Sequence, residues 1–314
     1  MAATHTEFGP STTAEEVVAT FADRVKGRVF LVTGPTPGGM GARVLEALAA
    51  AQPSALLIAG RTPTKYAPVV DAIRAANSNI RVRVYGVDLS SLASVRAGAE
   101  EILKENEIID VIINSAGVMG IPTLRLTKDG IEEHFATNHV GHFLLTNLLI
   151  PVLRKSSEPR VVNLSSGAYA AGTGDYSDHA FKNREYRWNI GYGQSKLANV
   201  HYSQELAKRV PGLIALSVHP GVITGTSLTR DMNKEDLAAT LKRLADSGVV
   251  LKTQSQGAST PLVAALDPNA SAFNGAYLQD CQVSPTDTDG AKKVGAGEQL
   301  WTISEQLIGE KFEF

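Results

Sequence analysis

Apolar residues fall along this chain in two alternating rhythms. Short, nearly unbroken runs of Val, Ile, Leu and Ala at Val29–Thr33, 55–59, 82–87, 108–114, 161–165 and 213–219 predict strands buried on both faces. Between them, apolar residues recur every three or four positions at 41–50, 66–76, 92–104, 128–153 and 191–209, which predicts helices with one face turned to a core. A chain that alternates in this way is expected to fold as a single α/β domain, a doubly wound parallel sheet with helices on both faces. Ahead of the first strand, Thr13-Ala-Glu-Glu16 is a capping-box pattern followed by Val17, Val18 and Phe21 at helical spacing. Residues 1–25 therefore read as an extension carrying a short helix, and 26–314 as the domain proper. After His219 the rhythm weakens: 234–245 and 256–266 predict helices, 275–278 a last strand and Ala296–Ile308 a closing helix.

Composition narrows the classes. Of 314 residues, 43% are hydrophobic and 20% charged, which suits a globular domain. A formal net charge of −2 offers no electrostatic footprint for nucleic acid or an anionic membrane surface. No apolar run is long enough to span a bilayer. Cys281 is the one cysteine and Met1 to Pro10 lacks a basic start followed by an apolar core, so a cytoplasmic setting is expected. His134, His139 and His142 lie close in sequence, but no matching Cys or acidic cluster completes a metal site, and none is expected.

The loops that follow the strands carry the chemistry. Thr33-Gly34-Pro-Thr36-Pro-Gly-Gly39-Met40-Gly41 joins the first strand to the first helix after it, where glycines let a pyrophosphate approach the helix N-terminus. The second strand ends at Arg61, where an acidic residue would hold the ribose 2′-hydroxyl of NAD; an arginine suits a 2′-phosphate, so NADP(H) is the cofactor expected. Asp88-Leu89 follows the third strand, where the carboxylate can meet an adenine amino group or cap the next helix. Asn114-Ser-Ala116-Gly117 follows the fourth: small residues let backbone lie against a cofactor, and Asn114 can brace the turn. Tyr192 and Lys196 stand one helical turn apart on a common face, so an ammonium can lower the pKa of a phenol that exchanges a proton with a substrate oxygen.

These residues, with Asn138 and Ser166, resemble in identity and order the short-chain dehydrogenase/reductase superfamily. The resemblance runs from about Lys26 to the C-terminus. The segment Asn138-His-Val-Gly-His-Phe-Leu-Leu-Thr146 is similar to the retinol dehydrogenase and WW-domain oxidoreductase branch, without WW domains here, and the Pro-Gly-Gly loop is similar to fungal reductases of secondary metabolism. The resemblance implies a Rossmann-type fold. It also implies that Tyr192 is the general acid or base, that Lys196 lowers its pKa and holds the nicotinamide ribose, that Ser166 donates to the substrate oxygen, and that Asn138 holds a water linking Lys196 to solvent. Pro220, Gly221 and Val222 would line the cofactor, and Thr224 or Thr226 would meet its carboxamide. Two departures stand out: the glycine loop and the loop from Pro220 to Thr226 are each one residue longer than the family pattern.

Two variable segments remain, about 167–191 and 225–256. The first holds Tyr169, Tyr176, Phe181, Tyr186 and Trp188, and reads equally as an aromatic lid over a bulky apolar substrate or as an insertion packed on the surface. The function expected is NADP(H)-dependent hydride transfer to or from a small-molecule ketone, aldehyde or secondary alcohol, of bulky apolar or polyketide-like type. Two alternatives stand beside it: an NADP(H)-binding protein that steers a cyclisation or isomerisation, and a non-catalytic nucleotide sensor. Monomer and homodimer are both open.

Overall fold

The computed structural model describes residues 5–223 and 225–314. Helix α1 (Ala14–Thr20) begins at Thr13, whose hydroxyl accepts from Glu16 N–H while the Glu16 carboxylate accepts from Thr13 N–H, closing the capping box. Then come β1 (Val29–Thr33), α2 (Met40–Ala49), β2 (Ala55–Gly60), α3 (Ala67–Ala76), β3 (Arg81–Gly86), α4 (Leu92–Glu105) and β4 (Val111–Asn114). The second half runs α5 (Glu133–Phe135), a π-helical turn (Ala136–Val140), α6 (Gly141–Leu153), β5 (Arg160–Leu164), α7 (Trp188–Arg209) and β6 (Ile214–His219). The remainder is β7 (Val222–Ile223), α8 (Lys234–Asp246), β8 (Leu251–Lys252), α9 (Gln254–Leu266), β9 (Tyr277–Gln279), β10 (Gln282–Ser284), α10 (Asp289–Lys292) and α11 (Ala296–Ile308).

The strand order β10-β9-β6-β5-β4-β1-β2-β3 makes an eight-stranded sheet, parallel except for β10. Side chains alternate along each strand. Phe30 and Val32 join the core under α1, α2 and α9, and Val29 and Leu31 join the core under α4, α6, α7 and α11. Burying each such side chain contributes about 1.5–3 kcal/mol before entropy is counted, so strands covered on both faces must be apolar throughout. The chain reverses direction across the sheet between β1 and β4, and the crevice beyond their carboxyl ends is where a doubly wound sheet takes its ligand.

Three elements differ from the sequence expectation. The helix expected from 128 begins only at Glu133, because Gly130 adopts φ +75° in a tight turn closed by Thr127 N–H to Ile131 O. Asp129 in that turn accepts from Leu92 N–H and caps α4. The strand expected at 275–278 is not the last, since Asp280 and Cys281, at φ +52° and +63°, turn it back into β10. β7 and β8 form a separate two-stranded ladder that brackets the second variable segment. At the sheet's outer edge, the Gln282 side chain donates to the carbonyls of His5 and Phe8.

Candidate active site

The loop after β1 folds back so that Gly34, at φ +62°, lies where a Cβ would come within 2.7 Å of the Ala116 Cβ. Only glycine combines that left-handed conformation with that approach. Gly38 adopts φ +70°, and Gly39 follows in extended conformation as the N-cap of α2. Met40 and Gly41 are then in the first helical turn, whose N–H groups have no acceptor within the helix. Thr36 meets Ser227 at 3.4 Å between hydroxyls, so the second variable segment reaches this loop. Arg61 is exposed at the end of β2 and makes no ion pair or hydrogen bond among the described residues. Asp88 caps locally: its Oδ1 accepts from the N–H and hydroxyl of Ser90, while its own N–H donates to Ser94 Oγ. Leu89 is buried against Gly141.

Asn114 braces the loop after β4 from below. Its Nδ2 donates to Thr146 Oγ1 at 2.9 Å and to Asn163 Oδ1 at 2.8 Å, and Asn163 donates on to Ser203. The loop from His219 turns at Pro220 and Gly221, where the Lys252 side chain packs across the glycine and reaches Asp280. Val222 and Thr226 are half-buried along the same edge, and Thr224 lies outside the described residues. Leu228 packs near Gly117, and Met232 lies over Gly120.

Helix α7 delivers Tyr192 and Lys196, each 4% exposed. Ser166, just beyond β5, caps a short turn by accepting from Ala168 N–H, and lies near enough to the Tyr192 phenol to lower its pKa. Lys196 Nζ lies 5.6 Å from the centre of the Tyr192 ring and donates to Leu164 O at 3.1 Å, a carbonyl that also accepts from Asn199 Nδ2. Asn138 sits in the π-helical turn. Its Oδ1 accepts from Val118 N–H at 2.8 Å, and its Nδ2 donates to Val118 O and Ser195 Oγ at 3.0 and 2.9 Å. The four side chains thus converge at the carboxyl ends of β4 and β5.

Burial dominates the electrostatics of the pair: it pushes the Tyr192 phenol up to about 12, against a lowering influence from Ser166, and brings Lys196 down to about 8.

Thr33, expected only as part of the cofactor loop, and His142 also hold these four in place. Thr33 Oγ1 accepts from Ser115 and Ala116 N–H at 2.9 and 3.0 Å, so its proton goes to His142 Nε2 at 2.8 Å. His142 Nδ1 then donates to Asn138 O at 3.1 Å, which fixes a neutral imidazole; burial holds its pKa near 4. The signal in the sequence was the i, i+4 spacing of Asn138 and His142. His139 instead bonds Ser304, and His134 bonds Glu132. The described residues hold no cluster of three or more side chains suited to a metal.

Residues 28–237 match the family model for short chain dehydrogenases. The chain belongs to the short chain dehydrogenase family. It is 38% identical to retinol dehydrogenase 12 of Mus musculus over 292 residues, covering 92% of this chain and 89% of that protein. It is 36% identical to the chloroplastic short-chain dehydrogenase TIC 32 B of Brassica napus over 313 residues, covering 96% and 94%. Among solved structures, an uncharacterised protein from Mycobacterium paratuberculosis superposes with a TM-score of 0.69 at 29% identity, covering 92% of this chain and 96% of that one. This short chain dehydrogenase is therefore an oxidoreductase of a nicotinamide-binding family acting on a small molecule. None of its helices, among the described residues, is long and apolar enough to cross a membrane.

Proposed function

We propose that this protein is an NADP(H)-dependent oxidoreductase that transfers hydride between the nicotinamide and a ketone, aldehyde or secondary alcohol on a bulky, mostly apolar molecule. The observation that carries the reading is that Tyr192, Ser166, Lys196 and Asn138 come together at the carboxyl ends of β4 and β5. The residues present fit the cofactor. The close approach at Gly34 and the free N–H groups of α2 suit a pyrophosphate, and the exposed, unpaired Arg61 suits a 2′-phosphate. NADPH, when bound, supplies the hydride.

The chain's own residues do the rest. Ser166 donates to the substrate oxygen and stabilises its developing charge. Tyr192 delivers a proton to that oxygen, and its high pKa keeps the phenol protonated until the oxygen becomes basic. Lys196 holds ribose hydroxyls and a positive charge beside the phenol. Asn138 fixes the turn next to Ser195 and Lys196. Similarity to retinol dehydrogenase 12 supports an apolar alcohol or aldehyde as substrate class.

The test is a titration with NADPH and NADH followed by nicotinamide fluorescence, then turnover of a panel of apolar ketones and aldehydes. Tight binding of NADPH with turnover is expected. Equal affinity for both nucleotides would sink the NADP assignment, and binding of neither would sink the function.

A further inference from the structure

Glu132 and His134 are 1% and 0% exposed, outside the four residues above. Glu132 Oε1 accepts from His134 Nδ1 at 2.7 Å, and Glu132 Oε2 accepts from Phe135 N–H at 2.8 Å, capping α5. His134 Nε2 faces Ile121 N–H at 3.5 Å, so a neutral ring protonated on Nδ1 satisfies both neighbours. A buried carboxylate must be held by donors. The third group near it comes from the first variable segment: the Tyr186 hydroxyl donates to Ile121 O at 2.9 Å and lies 3.4 Å from both Glu132 Oε1 and His134 Nδ1.

This cluster also touches the catalytic tyrosine. The His134 ring meets the Tyr192 ring edge-on, with centroids 6.0 Å apart. At Gly191, the residue before Tyr192, a Cβ would come within 3.3 Å of both Glu132 Oε1 and His134 Nδ1. One residue on, Glu133 pairs with Arg125, which also pairs with Asp231 of the second variable segment.

We propose that Glu132 and His134 are positioning residues that latch the segment carrying Tyr186 over the substrate side while backing Tyr192, so that pocket closure and proton-donor placement depend on one buried pair. Tyr186 thus reaches the same buried pair that backs Gly191 and Tyr192. The proposal rests on the oxidoreductase reading above, and its test is chosen so that the two fail separately.

Tyr186→Phe removes one oxygen from a half-buried side chain, and Glu132→Gln removes the charge without changing shape. In both, KM for a carbonyl substrate is expected to rise about fivefold, more than kcat falls, with NADPH affinity within about twofold of the parent. Trypsin cleavage at Lys182, Arg184 and Arg187 is expected to quicken about tenfold as the segment opens. Tyr186→Phe with parental KM and parental cleavage rates overturns the latch. Loss of NADPH affinity in step with the rise in KM also overturns it, because a general collapse does that. If Glu132→Gln does not fold, Tyr186→Phe decides alone. If the parent protein turns over no carbonyl with either nucleotide, the oxidoreductase reading fails and the cleavage rates still decide the latch.

Discussion

The Thr33 hydroxyl donates to His142 Nε2 at 2.8 Å, joining the first strand to the helix that follows the π-helical turn. Because Thr33 also accepts from Ser115 and Ala116 N–H, one hydroxyl ties together the end of β1, the loop after β4 and α6. Thr33→Val leaves both N–H groups without this acceptor, at about 1–3 kcal/mol for each that water cannot reach. Urea unfolding should show a loss of about 2 kcal/mol, and a loss under about 0.5 kcal/mol would show that the hydroxyl bears no such load.

Acid should loosen the fold through its buried histidines. His142 and His219 are held near 4 and His139 near 3, chiefly by burial, whereas an unfolded imidazole takes its proton near 6.5. Between those values the unfolded chain binds more protons, so stability rises with pH. The stabilisation is complete above about 6.5 and is lost as pH falls toward 4. Melting temperatures across that window should drop steadily, and less steeply in His142→Phe. A flat profile would contradict the burial of these rings.

Arg61 is exposed at the end of β2 and, among the described residues, makes no ion pair or side-chain hydrogen bond. Arg61→Ala should weaken NADPH binding at least about tenfold and leave NADH binding unchanged, as loss of a charge-assisted contact to a 2′-phosphate requires. Fluorescence titration reads both. Equal weakening of the two would assign Arg61 to the loop rather than to the phosphate.

Tyr192→Phe separates hydride transfer from a role in which pocket shape alone steers a rearrangement. If Tyr192 is the proton donor proposed above, its loss should cost about 10²–10⁴ in kcat while NADPH still binds. Turnover within about tenfold of the parent would favour the shape-driven alternative.

What the sequence made legible was whatever depends on local pattern. The run Val29–Thr33 and the closing helix Ala296–Ile308 form as their periodicity predicts. The Thr13 capping box closes as its four residues foretell. The helix expected from 128 starts late because Gly130 and Asp129 serve a turn and a distant cap, a tertiary demand that periodicity does not register. The β9–β10 hairpin was hidden because its turn uses Asp280-Cys281, where the left-handed pair is usually Asn-Gly or Asp-Gly. Asn138, Ser166, Tyr192 and Lys196 lie close together at the carboxyl ends of β4 and β5, but their supports did not show in the sequence. Thr33 was expected only as the start of the glycine loop, and its bonds to Ser115, Ala116 and His142, like those of Tyr186 to Glu132 and His134, join residues far apart in the chain.

The hold that Gln282 keeps on His5 and Phe8 has a consequence for solubility. β10 is the last strand of its sheet, and a bare strand edge is a template on which a second molecule can add its own strand. Gln282, on that edge, holds residues 5–8 beside it. Protein lacking residues 5–8 should self-associate at concentrations where the parent does not, which light scattering would register.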